Sequence, residues 1–548
     1  MRRVLAGMAV LALLLGGCTK TDVPPVPPLV PQPAAPQGEI LIRGCTPERP
    51  LLPAATLGPC GLEVVDAING RLVRPNPADG QPVLDLATAI ETQDSQHFTV
   101  RLARDRHFHD GTEVRARNFV SAWNWAAYGP NNMPAQTWFT LIEGGSEMNC
   151  PVTGPCSKDD RPTRLSGLSV VDDYTFTITT VRPIVDLQAR LGHPVFSPLP
   201  DAFFAEDEGK DAFGRLPVGT GPFRVDTNTN TEITLAAFDG YTGDPAPKVA
   251  TVRLKKYDDP ARDLDVFRAY NDVVANNLDF TDVIPTDVLV DDVWQEDLGG
   301  RSGFRDTQTL QELNFVATDP LLADPRVRQA ISMAIDREAL ARQVFAGTRV
   351  RATSWVSPAV PGYRADACGE LCTYDLSRAR TLFREGGGYA GEFVVTVNAD
   401  GGHKQWADAL CNQLKNALDL DCQVNLLPSQ EAVLQAAQKK ELTGAVRQGW
   451  TAIYPSAEAS LRQFRSDSRL NLVGYANAAF DARLEAALEA TSQTSANAAY
   501  REAELLLQDD PPSVPLWFAS TPYGYSNRIT GVRLTPSGTL DLLAVRRT

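Results

Sequence analysis

The stretch VRLARDRHFHDGTEVRARNFVSAWNWA, residues 100–126, decides the fold class because its hydrophobic periodicity changes halfway along. Apolar residues alternate with polar ones from Phe98 to Leu102, as they do in a half-buried strand. Asp110–Gly111 is a strong turn signal, and apolar residues then recur at helical spacing from Phe119 to Ala127. The stretch therefore predicts a strand, a turn and a helix.

The same stretch contains two of the five histidines of the chain, and they raise the question of a metal site. On an extended strand His107 and His109 share a face, and Asp110 could join them on a metal or in catalysis. The simpler interpretation is structural, because Asp110 can accept hydrogen bonds within its own turn and Gly111 can adopt a positive φ. An enzyme would need a further catalytic partner that the sequence does not reveal. We therefore expect no metal, no cofactor and no catalytic activity.

Other sequence features exclude further functional classes. One G-x-G-x-x-G occurs, at Gly386, Gly388 and Gly391, but it follows a helical stretch and precedes a strand. A nucleotide-binding fingerprint has the reverse order, so these glycines are interpreted as a helix stop and a loop. The net charge of −15 and the lack of a Lys/Arg cluster argue against nucleic acid as a partner.

The N-terminal part of the chain has the composition of an export signal followed by a tether. Residues 1–17 combine the basic pair Arg2 and Arg3 with an apolar run that is too short to span a bilayer. The run ends in LLGGC, which resembles the lipobox of bacterial lipoproteins and makes Cys18 the expected lipidated residue. Residues 18–37 contain seven prolines, which favour extended, unpacked backbone. We expect an exported protein, lipid-anchored at the outer face of the cytoplasmic membrane.

The remaining eight cysteines fall into four pairs of sequence neighbours. Eight cysteines allow 105 pairings, but local pairs in a chain exported to an oxidising space favour disulfides. Structural zinc would require two closely spaced pairs, and only Cys368 and Cys372 have that spacing. The expected disulfides are Cys45–Cys60, Cys150–Cys156, Cys368–Cys372 and Cys411–Cys422.

Residues 100–126 also resemble a signature of a known family, the oligopeptide- and dipeptide-binding proteins. These are the extracytoplasmic substrate-binding subunits of ABC importers. Further matches follow in the same order along the chain and together span about residues 40–535. They are LPVGTGPFRV (216–225), NNLDFTDVIP (276–285), ELNFVATDPLLADPRVRQAISMAIDREALARQVFAG (312–347), YDLSRARTLFREGG (374–387) and DDPPSVPLW (509–517).

The resemblance implies an α/β fold of the periplasmic-binding-protein type II (cluster C) class. Two lobes surround a cleft, and the first lobe carries an extra small domain. The expected division is lobe I at 38–73, 216–311 and 518–548, the extra domain at 74–215, and lobe II at 312–517. The resemblance also implies a monomer that captures a small solute between its lobes and delivers it to the permease subunits of an ABC transporter.

One segment, RQGWTAIY from Arg447, resembles the family pattern R-x-G-W-x-x-D-Y. The family holds peptides as an added β-strand, and the aspartate of the pattern pairs with the free α-amino group. The resemblance implies a peptide-like solute. Because Ile453 stands at that aspartate position, a sugar, a metal chelate or a cell-wall fragment is the alternative. Tyr454 is expected in the core. The candidate ligand-binding residues are Arg447, Gly449, Trp450, Thr451, Ile453, Trp138 and Trp517.

Overall fold

This computed structural model of the protein describes most of the chain after residue 35. The described residues are 36–47, 49–56, 58–77, 80–150, 156, 161–205, 213–257, 264–289, 293–345, 348–399, 403–452, 454–468 and 470–548. The expected export signal, Cys18, most of the proline-rich tether and Ile453 therefore lie outside the described residues.

The chain alternates strands and helices through most of its length. The strands are β1 (Glu39–Gly44), β2 (Val73–Pro75), β3 (Pro82–Leu84), β4 (Ala87–Thr92), β5 (His97–Leu102), β6 (Leu168–Asp172), β7 (Thr175–Thr179), β8 (Phe223–Asn228), β9 (Glu232–Ala237), β10 (Thr251–Lys256), β11 (Phe280–Thr281), β12 (Ser302–Phe315), β13 (Arg349–Arg351), β14 (Glu392–Asn398), β15 (Asp421–Leu427), β16 (Ala445–Thr451), β17 (Ser513–Tyr525), β18 (Ile529–Thr530) and β19 (Arg546–Arg547). The helices are α1 (Pro59–Ile68), α2 (Ala116–Ala127), α3 (Gly145–Met148), α4 (Leu187–Arg190), α5 (Asp201–Ala205), α6 (Leu264–Val274), α7 (Thr286–Leu289), α8 (Val293–Asp297), α9 (Pro325–Met333), α10 (Arg337–Phe345), α11 (Leu376–Glu385), α12 (Lys404–Leu418), α13 (Gln430–Gln438), α14 (Ala457–Leu461), α15 (Ala478–Leu488) and α16 (Gln493–Asp509).

Two long strands run through a mixed sheet and connect its two halves. Within the described residues the order is β15-β14-β16-β12-β17-β11-β1-β10-β9-β8, with β13 added on β17. The first half of β12 pairs with the last half of β17 beside β11, and the second half of β12 pairs with both β16 and β17. The register of the β12–β17 pair shifts between Asp306 and Leu310. This irregularity lies where the chain passes between the proposed lobe I and lobe II.

Each half of the sheet has the hydrophobic pattern that its position requires. In β1 the buried residues Ile40 and Ile42 alternate with partly exposed ones, and they join the buried cluster of lobe I. Strand β14 lies inside lobe II, and its residues 395–398 are all buried, as expected of a strand covered on both faces. Helix α12 places Trp406, Leu410 and Leu414 on one buried stripe against it. These two clusters give the two lobes separate cores.

The extra domain contains residues 100–126, for which the sequence predicts a strand, a turn and a helix. Its antiparallel sheet has the order β4-β5-β7-β6, and α2 packs Phe119 and Trp123 against Phe176 of β7. Strand β5 ends at Leu102 and α2 begins at Ala116. The predicted succession of strand, turn and helix is therefore present.

All four expected cysteine pairs are bonded in the structure. The pair Cys411–Cys422, with Cα atoms 5.0 Å apart, joins α12 to β15, the edge strand of lobe II. It fixes the middle of the helix to the edge of the sheet.

Among the described helices, none is both long enough and apolar enough to cross a membrane.

Candidate functional site

One strand of lobe II has a free edge between residues 448 and 451. Strand β16 pairs with β12 along the whole length of β16, from Ala445 to Thr451. On the other side, β14 pairs with β16 only at Ala445 and Val446, and the described part of the chain places no other strand there. Gly449 and Thr451 are exposed. An unpaired strand edge can accept an extended chain through main-chain hydrogen bonds.

The side chain of Arg447 is fixed across the start of this edge. Its Nε and Nη2 donate to Oε1 of Gln311 at 3.2 and 3.0 Å. Its Nη1 donates to Asn398 and Gln430 at 3.4 and 3.3 Å. A Cβ atom at position 449 would lie 2.6 Å from Arg447 Nη2. Gly449 therefore provides the space in which the guanidinium lies, which explains the arginine and glycine of the motif.

Trp450 lies half-buried at the end of the free edge. Its Nε1 donates to the carbonyl oxygen of Ala459 in α14 at 2.6 Å, so the indole is held against that helix. The hydroxyls of Thr451 and Thr309 are 2.8 Å apart on the exposed side. Tyr454 is buried, as the sequence indicated, and it belongs to the second core cluster of lobe II.

The two other candidate tryptophans have different positions. Trp138 of the extra domain stacks on His193 with ring centroids 4.2 Å apart and meets the ring of Tyr454 at 6.2 Å. It therefore lies at the contact between the extra domain and lobe II. The burial of Trp517 contradicts its expected place among the ligand-binding residues. Trp517 is 1% exposed and packs against Trp406 and Phe345 inside lobe II.

A cavity of about 230 Å³ lies where lobe I, the extra domain and the Tyr454–Pro455 segment of lobe II meet. Its wall includes Arg71, His193, Tyr241, Gln308, Tyr454 and Pro536. Burial, with nearby Asp282, raises the pKa of the Glu63 carboxyl at this wall to about 8. Burial lowers the pKa of His193 to about 3, so its ring is neutral beside Trp138. Trp450 is not part of the wall, so the cavity and the free strand edge are separate features.

A buried polar cluster connects the extra domain to lobe II beside this cavity. Arg190 donates to Asp186 at 2.8 Å and to Glu458 at 3.3 Å. Its guanidinium lies 4.4 Å from the ring centroid of Tyr454, and the Tyr454 hydroxyl donates to Glu458. The sequence analysis missed this cluster because Arg190 and Glu458 are 268 residues apart. The available signal was a pair of opposite charges four residues apart in the mostly apolar stretch IVDLQARLG.

His109 and Asp110 of the opening stretch have structural roles in the described residues. His109 Nδ1 accepts from the Gly219 amide at 3.1 Å, and its Nε2 donates to the Gly221 carbonyl at 3.1 Å. Burial lowers the pKa of His109 to about 4, which keeps the ring neutral and suited to both bonds. Asp110 accepts from the amide and hydroxyl of Thr112, as a turn residue does. Among the described residues, no three His, Cys, Asp or Glu side chains are grouped to hold a metal ion.

Two α/β lobes connected by a pair of long strands, with a free strand edge beside them, define the class of two-lobed solute-binding proteins. Residues 81–471 match the family described as bacterial extracellular solute-binding proteins, family 5 Middle, and the chain belongs to this family.

Similar proteins agree with this assignment. The probable deoxycholate-binding periplasmic protein YgiS of Escherichia coli (strain K12) is 25% identical over 453 residues, covering 81% of this chain and 80% of YgiS. The dipeptide-binding protein DppE of Bacillus subtilis (strain 168) is 22% identical over 462 residues, covering 82% and 81% of the two chains. The unliganded open form of MppA, a periplasmic murein tripeptide binding protein, superposes with a TM-score of 0.78 at 19% identity, covering 94% and 98%.

Proposed function

We propose that this protein captures a peptide or peptide-like solute between its lobes and delivers it to the permease of an ABC importer. The free edge of β16 from 448 to 451 carries the proposal, because an extended backbone can pair there as an added strand. Trp450 adds an aromatic surface at the end of that edge. Two relatives support a peptide cargo, since DppE is a dipeptide-binding protein and MppA binds a murein tripeptide.

A second candidate keeps the fold and changes the solute to a non-peptide molecule such as a sugar, a metal chelate or a cell-wall fragment. Ile453 supports it, because an apolar side chain at that position cannot pair with an α-amino group. YgiS, a probable deoxycholate-binding protein, is a relative with a non-peptide solute. In both candidate functions, residue 453 does not bind a free amino group of the solute.

The site of action in this proposal is the outer face of the cytoplasmic membrane. The LLGGC boundary and the proline-rich residues that follow support a lipid anchor on Cys18. One acyl chain binds a membrane only marginally, so a stable anchor requires more than one. Replacing Cys18 with Ala is expected to release the protein into the medium or periplasm, or to leave the signal uncleaved. Normal processing together with membrane retention of that variant would contradict the anchor.

Mass spectrometry of the solute that co-purifies from native cells tests the proposed cargo. A peptide or an amide-containing cell-wall fragment is expected. Titration calorimetry with that solute should then show about 10- to 100-fold weaker binding for Trp450→Ala, as aromatic anchors of binding sites commonly do. A co-purified sugar or bile acid would favour the second candidate, and undiminished binding by Trp450→Ala would remove the strand edge from the site.

A further inference from the structure

The polar cluster between the extra domain and lobe II has the composition of a cation-binding site. Its acceptors are the carboxylates of Asp186 and Glu458 and the ring face of Tyr454, and all three residues are buried. Asp186 Oδ2 and the hydroxyl of Tyr500 are also buried there, and neither has a hydrogen-bond partner in the described structure. Buried polar atoms normally have partners, so the cluster has acceptor capacity that Arg190 does not use.

The cation that now fills this site is part of the chain. Arg190 reaches both carboxylates and covers the tyrosine ring at 4.4 Å. Burial alone would lower the pKa of Arg190, but Asp186, Tyr454 and Glu458 raise it well above the usual value, so the guanidinium stays charged. Burial raises the pKa of Tyr454 as well, and its neutral hydroxyl donates to Glu458.

The cluster adjoins both features of the candidate site. Tyr454 lines the cavity. Ala189 and Gly192, which lie one residue before and two residues after Arg190, line it as well. On the other side, Trp450 donates to Ala459, the residue that follows Glu458. The cluster therefore lies next to residues of the cavity wall and next to the helix that holds Trp450.

We propose that Arg190 is an internal cation that occupies a latent ammonium site formed by Asp186, Tyr454 and Glu458, and so excludes a free amino group of the solute. The exclusion of a free amino group rests on the proposed function of solute binding. The latent ammonium site itself does not depend on that function. The position of Arg190 makes it a specificity-determining residue, contributed by the extra domain to a site in lobe II.

Chemical rescue tests the latent site without any solute. In Arg190→Ala, ethylammonium chloride at about 50 mM should raise the unfolding temperature by about 2 °C more than the same concentration of potassium chloride. Wild type should show no such difference. If Arg190→Ala does not fold, Arg190→Gln takes its place, because it removes the positive charge and keeps both carboxylates. Equal effects of the two salts on the folded variant would overturn the latent site.

Arg182→Ala is the matched control. Arg182 also connects the extra domain to lobe II, through Glu485 at 3.1 Å, but this pair is exposed and lies outside the cluster. The control should respond to ethylammonium as wild type does. A response of Arg182→Ala equal to that of Arg190→Ala would show a general salt effect and would overturn the proposal.

A pair of peptides tests the exclusion. Calorimetry with trialanine and N-acetyl-trialanine should show the free amine gaining about tenfold in relative affinity in Arg190→Ala, because it acquires a charged partner. An unchanged ratio would overturn the exclusion. If wild type and variant bind neither peptide, the proposed peptide cargo fails, and the ethylammonium result alone decides the latent site.

Discussion

The FHDG turn (residues 108–111) and the RQGW strand (residues 447–450) use their polar groups in opposite ways. In the turn, His109 bonds through both ring nitrogens to the backbone of Gly219 and Gly221, and Asp110 bonds to Thr112. In the strand, the side chain of Arg447 is fixed, but one backbone edge lacks a described strand partner. The FHDG turn, which has the more reactive side chains, therefore serves as scaffold. The RQGW strand, which offers backbone hydrogen-bonding groups, is the candidate site.

Close backbone approach constrains Gly219, which lies beside the FHDG turn, but it does not constrain Gly111 within the turn. A Cβ at position 219 would lie 2.0 Å from the carbonyl oxygen of Ile68, whereas a Cβ at Gly111 would meet nothing within 4 Å. Gly219→Ala should cost about 4 kcal/mol or more in unfolding free energy, as expected when backbone must move. Gly111→Ala, at φ +85°, should cost only about 1–2 kcal/mol of conformational strain. Urea unfolding of both variants checks the contrast, and equal losses would contradict it.

The acid sensitivity of the protein should come in part from the same turn. The pKa of His109 is about 4 in the folded protein and about 6.5 in an unfolded chain. Between these values the unfolded state binds the extra proton, so stability falls as the pH falls from about 6.5 to about 4, by about 3 kcal/mol. His109→Gln should lose this part of the pH dependence. Urea unfolding at a series of pH values measures it, and identical pH slopes for variant and wild type would contradict the role of His109.

Substitutions in the RQGW strand should reduce solute affinity more than stability, whereas those in the FHDG turn should reduce stability more than affinity. Trp450→Ala should weaken binding of the co-purified solute by about 1.4–2.7 kcal/mol. His109→Gln, which lies in the scaffold, should leave the affinity unchanged at neutral pH. Calorimetry on both variants makes the comparison direct, and a larger loss of affinity in His109→Gln than in Trp450→Ala would reverse the assignment.

The smallest effect is expected at the exposed end of the strand. Thr451→Val removes a hydroxyl that faces Thr309 at 2.8 Å on the surface. Exposed substitutions of this kind stay within about 0.5 kcal/mol of the wild-type unfolding free energy. A loss above about 1 kcal/mol in urea unfolding would show that this hydroxyl pair stabilises the fold and that the edge is less independent than proposed.

The sequence was informative where the determinants are local. The strand, turn and helix around Gly111 follow from periodicity and turn chemistry, and the four disulfides join sequence neighbours. The pairing of Arg447 with Gly449 also depends on two residues that are close in sequence. In each case the interacting residues lie within a few positions or one loop of each other.

Contacts between distant segments were not accessible to the same reasoning. The Arg190–Glu458 pair joins segments that only the folded chain brings together. The burial of Trp517 in the core could not be predicted from the sequence. Residues 513–518 of β17 are buried without alternation, so periodicity does not tell which face meets the core. Phe345 and Trp406, which cover it, come from two separate helices.

The central claim is that solute pairs with the free edge of β16 between 448 and 451. Amide hydrogen exchange of the fragment that contains residues 445–452, with and without the co-purified solute, tests it most directly. The account predicts markedly slower exchange of this fragment in the bound protein, because an added strand supplies acceptors to its free amides. Tight binding of the solute with unchanged exchange in this fragment would contradict the account.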